Sequence, residues 1–62
     1  MKTYSIHLRY MIDGDYEECI IESVADNAQK AVDSVKRRLK RDAENYDLSL
    51  SHVVVKGIKV IK

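Results

Sequence analysis

Proline, tryptophan and phenylalanine are absent from this chain of 62 residues, which holds one cysteine, two glycines and four tyrosines. Each shortage excludes something. Without proline or any low-complexity tract there is no stiff linker or disordered tail to set aside. A single cysteine, Cys19, cannot close an internal disulfide and fits a reducing compartment. Gly14 and Gly57 stand alone, so there is no glycine-rich phosphate loop, and both read as serving the backbone. No apolar run approaches the ~20 residues of a membrane span, and there is no secretory core segment near the start. The expectation is a cytoplasmic protein with no membrane contact. Charge of one sign is also missing, because a net charge of +1 lacks the excess of a dedicated nucleic-acid binder.

What is present is periodicity. Residues 1–62 allow one domain with a small core. Tyr4, Ile6, Leu8, Tyr10 and Ile12 alternate with Ser5, His7, Arg9 and Met11, the period of a half-buried strand. Asp13-Gly14 follows, a strong signal for a type I′ hairpin into a second strand, Tyr16 to Val24. If those two residues form the loop, the register is set throughout. Leu8 then faces Cys19 and Ile6 faces Ile21 inside, with Arg9 opposite Glu18, His7 opposite Ile20 and Met11 opposite Tyr16 outside. A one-residue slip would bury Glu18 and Glu22. The Arg9–Glu18 pair is expected to be a salt bridge.

The stretch Asp26 to Tyr46 reads as the only helix. Ala28, Ala31, Val32, Val35, Leu39, Ala43 and Tyr46 recur at helical spacing on one stripe. Asp26, with Gln29 three residues on, has the pattern of a capping box. Lys36, Arg37, Arg38, Lys40 and Arg41 crowd the second half, where the macrodipole favours cations. Asp33–Arg37, Arg38–Asp42 and Lys40–Glu44 are spaced to pair.

After Leu48 and Leu50, expected to seal the underside of the core, His52 to Lys62 reads as a third strand rich in β-branched residues. Val53 and Val55 share a face with Ile58 and Val60 only if one residue is extra, which predicts a bulge at Lys56-Gly57. A right-handed crossover beside the first strand then gives an α+β, ββαβ fold, a three-stranded antiparallel sheet of order 2-1-3 with one helix packed on one face.

Chemistry has little to work with. Cys19 points inward and His7 outward, and His52, placed near Ile12, lies about five residues or ~16 Å from His7, too far for zinc or a Cys-His dyad. Glu17, Glu18 and Glu22 lie along a strand without a pocket. The expectation is no enzyme, no metal and no cofactor. The sheet face away from the helix, with His7, Arg9, Met11, Tyr16, Glu18 and Ile20, has the mixed composition of protein interfaces. The acidic strand, Asp15, Glu17, Glu18 and Glu22, extends that candidate surface. An alternative is nucleic-acid binding through Arg37, Lys40 and Arg41, although a single-strand reader would show more aromatics than Tyr16 on its sheet. Another is a structural homodimer formed through the C-terminal edge strand.

Met1-Lys2-Thr3-Tyr4, the Asp13-Gly14 hairpin, and Val24-Ala25-Asp26-x-x-Gln29-x-Ala31-Val32 run the length of the chain in a pattern that resembles the small ββαβ proteins of phages and mobile elements, some anti-CRISPR proteins among them. The resemblance implies a stand-alone, non-enzymatic protein that occupies a surface of a host factor, with host nucleic-acid machinery the expected partner.

Overall fold

The computed structural model describes all 62 residues. Strand β1 (Lys2–Ile12), strand β2 (Asp15–Ala25), helix α1 (Ala28–Asn45) and strand β3 (Leu50–Val60) follow in order, and the sheet runs β2-β1-β3, antiparallel throughout. The fold is therefore the α+β, ββαβ arrangement that the periodicities imply.

The hairpin has the anticipated register. Eleven pairs run without interruption from Lys2–Ala25 to Ile12–Asp15, including Leu8–Cys19, Ile6–Ile21 and Arg9–Glu18. Asp13 and Gly14 both have positive φ, at 50° and 88°, as a type I′ turn requires. Asp13 also ties this tip to the loop after the helix. Its backbone N–H donates to the Ser49 carbonyl at 2.9 Å, and its carboxylate accepts from the Ser49 N–H at 2.9 Å.

Alternate residues of β1 supply the core. Tyr4, Ile6 and Leu8 are buried, and with Ala25, Ala31, Val32 and Val35 they form one cluster. The helix lies diagonally over this face. Burial in β2 rises toward Ser23 and Ala25, whereas in β3 it is confined to Leu50, Val53 and Val55. Ile58 and Val60 pair with Ile6 and Tyr4, so they share the helix-side face, but at 41% and 56% exposure they lie beyond the helix's reach.

The helix ends differ from the sequence reading. Asn27, not Asp26, is the N-cap, with extended backbone and its side-chain oxygen accepting from the Lys30 N–H at 2.9 Å. Both residue types cap well. Because β2 stays paired as far as Ala25, the chain needs Asp26 for the bend and starts the helix one residue later. Gln29 makes no capping box; its amide donates to Asp33 at 3.0 Å.

Tyr46 is the C-cap and 77% exposed, so the apolar stripe stops at Ala43. Asp47 takes a positive φ of 55°. Its N–H reaches the Glu44 carbonyl, and that of Leu48 reaches the Ala43 carbonyl, the two bonds of a Schellman motif. Leu48 remains 39% exposed and Leu50 half-buried, so the underside is only partly sealed. No cation sits in the last turn, which holds Asp42 and Glu44 instead; the macrodipole does not explain the basic run.

Nor do the three expected helix pairs close. The structure has one ion pair, Lys30–Asp26, and one imidazole–carboxylate contact, His7–Glu18. Arg37 turns its Nε to the Asp33 carbonyl, and Arg38 crosses to β2 to donate to the Glu22 carbonyl at 2.9 Å. Backbone carbonyls have taken guanidinium donors that the sequence assigns to carboxylates.

Strand β3 begins at Leu50 rather than His52 and carries two irregularities. Gly57 faces His7 while Val55 faces Leu8, leaving Lys56 as the extra residue expected there. The second was not legible. Between Arg9–Val54 and Met11–Ser51, the single residue Tyr10 opposes His52 and Val53, and His52 takes a φ of 54°. His52 therefore lies beside Tyr10 rather than Ile12, three residues along from His7, or roughly 10 Å at strand rise.

Candidate docking face

The sheet's second face has no helix over it. Parity along β1 and β2 sends His7, Arg9, Met11, Tyr16, Glu18, Ile20, Glu22 and Val24 to this side. Tyr16, Ile20 and Val24 are 59%, 68% and 62% exposed, and Val54 of β3 adds another apolar side chain at 52%. Seven of the residues singled out from sequence thus come together. Asp15 and Glu17 do not, since they pair with Ile12 and Tyr10 and belong to the helix-side face, at a corner the helix leaves open.

Contacts across this face follow diagonals. His7 and Arg9 each meet the β2 residue two places nearer the turn than their direct partner. His7 Nε2 lies 3.4 Å from a Glu18 carboxylate oxygen, and the Arg9 guanidinium sits over the Tyr16 ring, 4.3 Å from its centroid. The expected Arg9–Glu18 bridge is therefore replaced by an imidazole–carboxylate contact and a cation–π contact. Diagonal neighbours remain within reach of long and aromatic side chains, and the ladder's twist selects one diagonal. At an exposed site a cation–π pair contributes ~0.5–1 kcal/mol, comparable to a surface ion pair.

Two shallow depressions cross the face. One, of about 250 Å³, is lined by Ser5, His7, Ile20, Gly57, Ile58 and Lys59. The other, of about 220 Å³, is lined by Arg9, Tyr16, His52, Val54 and Lys56. Gly57 shapes the first by what it lacks. Its φ lies outside the left-handed region, and a Cβ built on it would meet nothing within 4 Å. The bulge does not need glycine there, which corrects the backbone role inferred from the sequence. Any other residue would fill the depression beside Ile20. Glu18 and Glu22 on β2 face Lys56 and Lys59 on β3 across the polar side chains Ser5, His7 and Arg9 of β1, and the exposed apolar groups Tyr16, Ile20, Val24 and Val54 stand on the two outer strands.

Sequence reasoning missed the β3 half of the face. The parity break at Gly57 was a signal for Lys56 and Lys59. Nothing comparable marks His52, whose bulge restores the alternation that puts Val54 outside.

On the helix side, Cys19 is a free, partly covered thiol against the core. Burial raises the Tyr10 phenol above its ordinary value, and a hydrogen bond with Cys19 and the charges of Cys19 and Glu17 act in the same direction. No three His, Cys, Asp or Glu residues are placed to hold a metal ion together, and no helix is long and apolar enough to cross a membrane.

Among the alternative nucleic-acid residues, Arg37 and Arg41 line one depression with Arg38 and Ser34. Lys40 is not part of it, pointing roughly 100° away from Arg41 around the helix axis. No family model matches the chain, no curated protein matches it and no solved structure matches it, so its functional surfaces are read from the geometry above.

Proposed function

We propose that this chain is a non-enzymatic protein-binding module that acts by covering a surface of a partner, in the manner of the small phage proteins that modulate host nucleic-acid machinery. The observation that carries the reading is the bare sheet face, where Tyr16, Ile20, Val24 and Val54 are all more than half exposed on one side of a 62-residue chain. Apolar side chains gathered on one uncovered sheet face offer a surface for a partner to bury. The layout supports the same reading: exposed aromatic and aliphatic side chains beside open depressions, with charges of both signs among them, have the mixed composition of protein interfaces.

These residues specify the partner. An aliphatic or aromatic side chain would seat between Ile20 and Gly57. A carboxylate would meet Lys59 on the β3 side, and a cation would meet Glu22, which stands opposite Ser5 on the β2 side. Electrostatics of this kind set orientation and encounter rate more than affinity.

Gly57→Val provides the test. It fits the backbone and open space at residue 57 and suits a strand, so it should fold with equal or greater stability. It should also fill the depression. Affinity capture from host lysate, quantified by mass spectrometry, is expected to give a protein retained by the parent chain and lost at least tenfold with Gly57→Val and with Ile20→Asp. Equal recovery on both variants, with melting unchanged, would remove this face as the docking site.

A further inference from the structure

We infer that the stripe Ser34, Arg37, Arg38 and Arg41 on the outer side of α1 is a second binding site, for the phosphodiester backbone of a nucleic acid. This assignment is independent of the docking reading, because it uses the helix and not the bare sheet.

The first ground is electrostatic. Lys36, Arg37, Arg38, Lys40 and Arg41 are all exposed, and neither the Lys30–Asp26 ion pair nor the His7–Glu18 contact involves any of them. Five cations within six residues, flanked by Asp33 and Asp42, stand on the exposed surface of the helix. The i,i+4 carboxylates Asp33, Asp42 and Glu44 close no direct ion pair with this run, so most of its donors stay open to a ligand.

The second ground is organisation. The Arg37 Nε is engaged with the Asp33 carbonyl one turn back, and the Arg38 Nη2 is engaged with the Glu22 carbonyl on β2. Each contact uses one of the five N–H donors of a guanidinium and restrains the side chain, leaving four donors for a ligand. Restraint of this kind lowers the ordering cost of binding. With Arg41 and Ser34 these residues line a depression of about 400 Å³.

The third ground selects the ligand. Guanidinium forks match phosphate oxygens in pairs. Ser34 to Arg41 spans seven residues, or about 10 Å of helix, and the three guanidiniums along it can neutralise about three phosphates of a backbone. No apolar residue lines the depression, so it lacks the side chains with which an interfacial helix enters a bilayer. No aromatic residue lines it either, so it lacks the stacking platform of a single-strand reader. Recognition is therefore of the backbone and indifferent to sequence.

Fluorescence anisotropy on the full chain tests this with a labelled 20-base-pair DNA duplex, a 20-nucleotide RNA and phosphatidylserine vesicles as probes. At low salt the nucleic acids should bind, with log K falling against log salt at a slope of about −2 to −3, as three neutralised phosphates imply. Arg37→Glu with Arg41→Glu should weaken binding at least tenfold. Lys56→Glu with Lys59→Glu, the same charge change on β3, should stay within twofold. Arg37→Lys with Arg41→Lys should fall between, since charge remains and the fork is lost. Absence of binding, equal losses from the helix and β3 variants, or vesicle binding at least as tight as nucleic-acid binding would each overturn the assignment. The β3 pair of variants alters the docking face and the helix pair does not, so the two surfaces fail separately.

Discussion

The two faces of this sheet are made from the same strands, and their alternate residues meet different fates. On β1, Ile6 and Leu8 are fully buried beneath the helix, whereas His7 and Arg9, their chain neighbours, form the middle of a face open to solvent. The covered face holds the chain together, and the open face is where binding can be altered without unfolding it. A period of two is the whole device: one strand separates stability from recognition residue by residue.

The sharpest way to break that separation is Leu8→Ala. Removing a fully buried side chain from a core of seven residues should cost about 2–5 kcal/mol, read as a shift of the urea midpoint. In so small a domain that loss would leave much of the population unfolded. A cost under about 1 kcal/mol would mean that the helix does not pack as described. Next, Asn27→Ala should cost about 1 kcal/mol in thermal melts, while Asp26→Ala, which loses only the exposed pair with Lys30, should cost less than half of that. The reverse order would return the cap to Asp26.

Ile20→Asp sharpens the contrast from the other side. Its effect on the melt should stay within about 0.5 kcal/mol, because the side chain it replaces is 68% exposed. A loss near that of Leu8→Ala would show that the open face is covered in solution. The smallest effect concerns alkali. The Tyr10 phenol is raised above 10.0 in the fold, so the folded chain resists an ionisation that the unfolded chain undergoes freely. This contribution is fully present below pH 10 and is lost as pH rises through the folded value. Tyr10→Phe should therefore flatten the alkaline fall in stability and leave the neutral range otherwise unchanged in slope.

Legibility differed between the hairpin and the returning strand for a physical reason. At the hairpin a two-residue turn with both φ values positive leaves one register, and Asp13-Gly14 is nearly sufficient to state it. Eleven pairs followed from that dipeptide and the apolar alternation. Strand β3 arrives after an 18-residue helix, so no local turn fixes its alignment. The Lys56 bulge was visible because valine and isoleucine change parity across it, but the His52 bulge was hidden because it falls where the sequence merely begins to alternate.

Side-chain partners were less legible than faces. Arg9 and Glu18 stand opposite each other, as the register demands, yet twist gives Glu18 to His7 and Arg9 to Tyr16. Along the helix, spacing named carboxylate partners for Arg37 and Arg38, and backbone carbonyls took their donors. Sequence spacing states which groups can meet. It does not rank them against main-chain acceptors nearby.

The paired bonds between Asp13 and Ser49 act as a clasp on the far end of the molecule. The hairpin tip and the connector leading into β3 are the segments a protease would ordinarily nick one by one. Fastened to each other, they must loosen in the same event. Cleavage at either place should therefore report a single shared opening, and a chain in which Asp13 is replaced by glycine, keeping the bend but losing the carboxylate, should be cut at both sites sooner.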